Sequence, residues 1–238
     1  MTETLPKLVL SSSRDIPFSK LVLSQNSFAH RVMGVLGAKA RLAYPPMDIA
    51  DFSYKAEETP QLPQGFPKKI MGYLGAFDTV GFDFILLEAL LLRYPDWGFL
   101  MVGKTDDAGR GELQRLSRYP NLHYLPWVPR ERLAGLWRLL NVSLLLYRPF
   151  ARIDGAFAVK ALESLHFGVP CVATPVPKTE DLGRFFPRAP FPEAIGESAL
   201  QLARQPAENW DEAYRYFLRE MHPKLHLIRV AEQLQRAG

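Results

Sequence analysis

From Lys68 to Thr174 short apolar runs alternate with helix-length segments, and this alternation constrains the fold more than any other feature of the chain. Ile70–Leu74, Phe99–Val102, Leu122–Leu125, Val142–Leu146 and Cys171–Ala173 contain no Asp, Glu, Lys or Arg. Runs that short and that apolar read as strands buried on both faces, which is how parallel strands are buried. Between them lie Phe82–Arg93, Gly111–Tyr119, Pro129–Leu140 and a stretch around Lys160, each with the length and spacing of a helix. On the first of these, Phe82, Ile85, Leu86, Ala89 and Leu92 share one face, the expected buried one. Strands alternating with helices and joined by right-handed crossovers make an α/β fold with a Rossmann-like, doubly wound parallel sheet.

Ligands of such sheets bind outside the carboxyl ends of the strands. The sequence therefore directs attention to Leu74–Phe77, Gly103–Asp106, Pro126–Val128 and Tyr147–Phe157. The last leads into the stretch DGAFAVKALESLHFGVPCVAT, Asp154 to Thr174. It reads as a small-residue loop, a helix, a stop at Gly168-Val169-Pro170 and a buried strand. The loop-to-helix junction presents backbone N–H groups and the positive end of a helix dipole, which suit an anion. Lys160, about one turn in, either adds charge to a bound phosphate or solvates a helix face. Glu163, three residues on and on a neighbouring face, either accepts hydrogen bonds from hydroxyls or is an ordinary surface carboxylate. Arg148 either contacts phosphate or pairs with Asp154. Trp127 and Val128, just past a strand end, either line a base pocket through the main chain or form an exposed rim.

The pattern K-x-x-E followed by G-x-P-x-V-A-T resembles the donor-site signature of GT-B fold glycosyltransferases, in particular the GT4-like group that uses nucleotide sugars (glycosyl transferases group 1). Lys160, Glu163, Gly168 and Pro170 carry the match. Tyr73-Leu74-Gly75, Tyr94-Pro95-Asp96-Trp97, Val102-Gly103 and Asn121–Leu125 resemble the same family's C-terminal domain. Upstream, Ser24, Gly37, Lys39, Tyr44, Pro45, Pro46 and Asp48 resemble the segment that closes its N-terminal domain. The resemblance implies that Glu163 holds the ribose of the nucleotide. It also implies that Asp154, Gly155, Ala156 and Phe157 cover the diphosphate and sugar, and that Gly75 and Ala76 lie beside them. Two departures stand out. The family's acidic residue eight positions before Glu163 is Gly155 here, with Asp154 the nearest acid. The stretch LGAFDTVG, Leu74 to Gly81, lacks the Arg and Lys that many relatives use to clamp the phosphates.

On this resemblance residues 1–52 are expected to be the end of an N-terminal domain, a truncated remnant. Residues 53–67, rich in Pro, Glu and Gln, are a linker. Residues 68–204 form the nucleotide-sugar domain and 205–238 C-terminal helices. The implied reaction moves a sugar from a UDP- or GDP-sugar to an unknown acceptor, with retention and without a metal, in polysaccharide biosynthesis. The alternatives are a non-catalytic nucleotide-binding subunit that needs a partner chain for its N-terminal half, and a GT-B-fold sugar-nucleotide epimerase.

Composition narrows the rest. A net charge of +4 fits an anionic ligand and, at most, peripheral contact with a membrane; no nucleic-acid partner is expected. One cysteine, Cys171, cannot form an intrachain disulfide and sits in an expected core strand, compatible with a cytoplasmic protein. The N-terminal residues show no secretory pattern, and no apolar run reaches the length of a membrane span. The histidines at 30, 123, 166, 222 and 226 have no metal-ligand spacing, so neither a metal nor a resident cofactor is expected.

Overall fold

The computed structural model describes residues 22–24, 31, 34–35, 40–42, 60–148, 158–221, 224, 227–228 and 231–232. Most of residues 1–59 lie outside them. Val22–Ser24 (β1) and Ala40–Leu42 (β2) pair in parallel as a separate two-stranded sheet.

The main sheet has five parallel strands: Ile70–Leu74 (β3), Gly98–Val102 (β4), Leu122–Leu125 (β5), Val142–Leu145 (β6) and Cys171–Ala173 (β7). Their order is β5-β4-β3-β6-β7. Strand order reverses between β3 and β6, and a crevice opens outside the carboxyl ends of such a pair.

Alternate residues face opposite layers. Met71, Tyr73, Phe99 and Met101 enter one core; Ile70, Leu74, Leu100 and Val102 enter the other. Both faces of β3 and β4 are thus buried, as the uninterrupted apolar runs require. The first core is covered by Phe84–Arg93 (α1), Asp107–Leu116 (α2), Val159–His166 (α4), Pro192–Leu202 (α5) and Asp211–Met221 (α6). The second is covered by Arg130–Trp137 (α3), whose Leu136 and Trp137 are fully buried. Two 3₁₀ segments, Pro177–Arg184 and Ala207–Trp210, precede α5 and α6.

Two local expectations differ from the structure. Helix α1 buries Phe84, Leu86, Leu87, Leu90 and Leu91 and leaves Ile85 and Leu92 in solvent. The segment is apolar on nearly every side, so periodicity alone does not select a face. Its start decides: the Asp83 carboxylate accepts the Leu86 N–H at 2.9 Å and fixes where the first turn lies. Helix α2 begins at Asp107, four residues earlier than its Gly109 and Gly111 suggest, because Asp106 caps it by accepting the Gly109 N–H at 2.7 Å. At the end of the linker-like stretch, Leu62 and Phe66 pack against the second core.

Helix α4 ends as its Gly168-Val169-Pro170 sequence implies. Gly168 has φ 70°, and the N–H of Val169 returns to the carbonyl of Ser164 at 2.9 Å. Further on, Arg31 and Glu180 form a two-pronged ion pair across 149 residues of sequence, with Nη2 to Oε2 at 2.8 Å. The guanidinium holds the Glu180 carboxyl below the usual range.

Helices α1 and α2 are joined at the surface by Glu88. One carboxylate oxygen accepts from Arg115 Nη1 at 2.7 Å, Arg118 Nη2 at 2.6 Å and Tyr119 Oη at 2.9 Å. These bonds, led by the one from Arg115, lower its pKa to about 2. The unfolded value is about 4.3, so the contribution is complete above about pH 5 and is lost as pH falls through 2. Glu88→Gln should lower stability at pH 7 by about 0.5–1 kcal/mol. Urea melts at pH 7 and pH 2.5 test this: the gap between variant and wild type should shrink at the lower pH.

Candidate functional site

Beyond their last residues β3 and β4 stay together as two parallel loops. Gly75 N–H donates to Val102 O at 2.8 Å, Phe77 N–H to Lys104 O at 2.7 Å, and Phe77 and Thr105 form a further bridge. This contact requires Gly103. Its φ is +143°, and a Cβ there would lie 1.7 Å from the Gly75 carbonyl oxygen. Phe77 is fully buried and anchors the β3 loop from below.

The rest of that loop is braced by polar contacts. Asp78 Oδ1 accepts the Gly81 N–H at 2.5 Å, and Asp106 Oδ2 accepts the Thr79 hydroxyl at 3.2 Å. Hydrogen bonds from the Gly109 and Thr79 amides hold the Asp106 carboxyl below its ordinary pKa. Arg148, just past β6, donates to Thr79 O through its guanidinium at 2.7 Å and to Gly81 O through its amide at 2.9 Å. The loop from 75 to 82 is therefore a fixed wall, with Arg148 as one of its supports.

Two cavities flank this wall and meet at Ala76. The first, about 310 Å³, is lined by Leu74, Gly75, Ala76, Val102, Gly103, Lys104, Trp127, Val128, Leu133 and Lys160. Trp127, Val128 and Leu133 give it apolar surface, Gly75, Ala76 and Gly103 give it stretches without bulky side chains, and Lys104 and Lys160 bring two ammonium groups. The second, about 510 Å³, lies over the β3–β6 switch point. Tyr73, Phe82 and Tyr147 line it with Asp78 and Lys178. Burial pushes the Tyr73 phenol up to about 12, so it remains an O–H donor, bonded to Ala76 O at 3.3 Å. Both volumes fall within the range of small-molecule sites.

Lys160 and Glu163 form an ion pair, Nζ to Oε2 at 2.6 Å. Glu163 is 7% exposed, and Lys160 leads from it to the first cavity. Helix α4, which carries both, begins after fully buried Ala158, and no side chain caps its first turn.

Of the residues singled out in the sequence, Gly75, Ala76, Trp127, Val128 and Lys160 line one cavity, and Glu163 joins it through Lys160. Arg148 supports the wall instead of lining either cavity. Asp154, Gly155, Ala156 and Phe157 lie outside the described residues. Asp78, Leu133 and Lys178 were not singled out. Leu133 had no signal beyond its place one turn into a helix after a strand end. Lys178 comes from a 3₁₀ segment after the last strand, which no motif marks. Among the described residues no group of three or more His, Cys, Asp or Glu side chains is arranged to hold a metal, and no helix is long and apolar enough to cross a membrane.

Residues 68–205, more than half of the chain, match the family described as Glycosyl transferases group 1. The chain belongs to this family. The Bacillus subtilis (strain 168) protein TuaH, named as a teichuronic acid biosynthesis glycosyltransferase, is 27% identical over 119 residues, half of this chain and 30% of TuaH. Among solved structures, Anabaena Alr3699/HepE in complex with UDP and glucose aligns with a TM-score of 0.72 at 14% identity. That alignment covers 99% of this chain and 68% of HepE. Sucrose-phosphate synthase from Thermosynechococcus elongatus aligns at 0.71 and 17% identity, covering 97% of this chain and 61% of its own. These likenesses establish the fold as that of the GT-B glycosyltransferases. The chain spans less than a third of TuaH and about two thirds of the two solved structures.

The Gly75–Gly103 contact gives the site its shape, and it is testable. Gly103→Ala should destabilise the protein by about 3 kcal/mol, combining a forbidden φ with a backbone clash. Thermal melts should show this as a lowered midpoint, while Gly111→Ala, at a helical position with open space around it, should be neutral or stabilising.

Proposed function

We propose that this chain is the donor-binding part of a glycosyltransferase that moves a sugar from a nucleotide sugar to an acceptor. The observation that carries the reading is the composition of the 310 Å³ cavity. An apolar aromatic part of the lining suits a nucleobase, a side-chain-poor part lets backbone approach a diphosphate, and two ammonium groups match its charge. Family membership supplies the reaction class. The HepE structure holds UDP, which makes a UDP-sugar the first donor to test.

In this reading the base lies against Trp127 and Val128 and the ribose hydroxyls reach Glu163. The diphosphate crosses Gly75 and Ala76 within reach of Lys160. Asp154, Gly155, Ala156 and Phe157 keep the donor-site role that the family resemblance implies for them. As the bond from the anomeric carbon to the leaving oxygen breaks, its electron pair passes to the diphosphate. Lys160 and backbone N–H groups stabilise that charge without a metal. The sugar and the incoming acceptor occupy the 510 Å³ cavity beyond Ala76, next to Asp78 and Lys178. Transfer proceeds with retention, as a GT4-like enzyme of the cytoplasm acting in polysaccharide synthesis. A second reading, nucleotide binding without catalysis, is favoured by one observation: the stretch from Leu74 to Gly81 carries no basic side chain.

Calorimetry with UDP, GDP, ADP and their sugars tests the site. One nucleotide family should bind, and folded protein that binds none of them would remove the donor-site reading. Glu163→Ala should weaken binding by about 1–3 kcal/mol, the cost of an unmade set of charged hydrogen bonds; unchanged affinity would count against a ribose role. Release of sugar from the bound donor, to water or to an added acceptor, separates the enzyme from the binding-only reading.

A further inference from the structure

Four tryptophans occur in the chain, and they differ sharply in exposure. Trp97, Trp137 and Trp210 are buried, whereas Trp127 is 59% exposed. Aromatic side chains of this size ordinarily bury most of their surface in the core. Trp127 instead stands at the rim of the 310 Å³ cavity, beside Val128 and Leu133. Its ring has a visitor: the Lys104 ammonium lies 5.4 Å from the ring centroid. The Lys104 backbone is fixed, because its carbonyl accepts the Phe77 N–H at 2.7 Å. Its side chain is exposed, and a lysine ammonium rides on a flexible four-carbon stem. Lys104 and Trp127 line the same cavity as Gly75 and Ala76.

With the base stacked on Trp127 as proposed above, we infer that Lys104 is an exchanging cation, which gives up the indole to the base and turns to the diphosphate. This rests on the reading of the cavity as a nucleotide site and adds a step to it. The base and the ammonium seek the same negative π face, so they compete for it. Stacking of a base on an aromatic side chain outweighs an exposed cation–π contact. The displaced ammonium then gains a charge-assisted bond to phosphate, which is stronger than its contact with the ring. Base and phosphate recognition are thereby coupled through one side chain. The fixed wall between Gly75 and Gly81, which has no cation of its own, acquires one only when a nucleotide is present.

The test uses the full chain and three ligands: the nucleoside, the monophosphate and the diphosphate of whichever base among UDP, GDP and ADP binds the wild type most tightly. Diphosphate should shield the wild-type protein from acrylamide quenching, since Trp127 is the exposed indole. Trp127→Leu should lose that shielding and bind all three ligands more weakly by a common factor of about ten, while Trp127→Phe retains most of the affinity. Lys104→Gln should bind the nucleoside as the wild type does, or slightly better, and the diphosphate about three- to tenfold more weakly. Both side chains are exposed, so unchanged thermal midpoints should accompany both variants.

A Lys104→Gln protein with the wild-type ratio of diphosphate to nucleoside affinity would overturn the exchange. A Trp127→Leu protein of unchanged affinity would overturn the platform. Either result leaves the cavity reading standing, because nucleotide still binds. Wild-type protein that binds no member of any series removes the cavity reading and this inference together.

Discussion

A carbonyl oxygen and an α-carbon determine the shape of the site. The Gly75 carbonyl occupies the place that a side chain at residue 103 would need, at 1.7 Å from its Cβ position. The two strand-end loops therefore stay paired past Leu74 and Val102, down to the Phe77–Thr105 bridge. From that pairing follow the position of Ala76 between two cavities, the place of Lys104 beside Trp127, and the cap that Asp106 gives to α2. The contact costs side-chain entropy nothing but leaves residue 103 with no substitute for glycine.

The charges around the site divide by role. Arg148 braces the loop, Asp106 divides its two oxygens between the loop and the α2 cap, and Arg115 and Arg118 serve the α1–α2 surface through Glu88. Lys160 and Glu163 are different. A carboxylate only 7% exposed gives up much of its hydration, and among the described residues the Lys160 ammonium, at 2.6 Å, restores part of it. Such a pair stabilises a fold less well than apolar residues of the same size would. The pair sits on a short helix, with Lys160 at the edge of the smaller cavity.

The sheet was legible because five runs without charge leave little choice but burial on both faces. Their order of alternation with helices sets the parallel topology. The face of α1 was not legible, since Ile85 and Leu92 are as apolar as Leu87 and Leu90, and only the Asp83 cap sets the phase. The start of α2 was hidden for a related reason: two glycines argue against a helix that a single carboxylate nevertheless begins. Gly75, Ala76, Trp127 and Val128 line one cavity because topology puts strand ends at one edge of the sheet. Lys178 was not found, because its place depends on the path of a 3₁₀ segment after β7. The bracing role of Arg148 was also invisible, since it depends on a carbonyl 69 residues earlier in the chain.

Cys171 lies at the head of β7, the strand at one edge of the main sheet, and is fully buried. Burial raises its thiol well above the ordinary range and leaves it inert. Because the sequence contains no other cysteine, a thiol reagent has one target, and it reaches that target only when this edge of the sheet parts from its helices. Chemical labelling of the native protein is then a clock for one opening event, that of the strand that follows α4 and leads to Lys178. The same atom that is silent in the folded chain reports how often the border of the larger cavity comes undone.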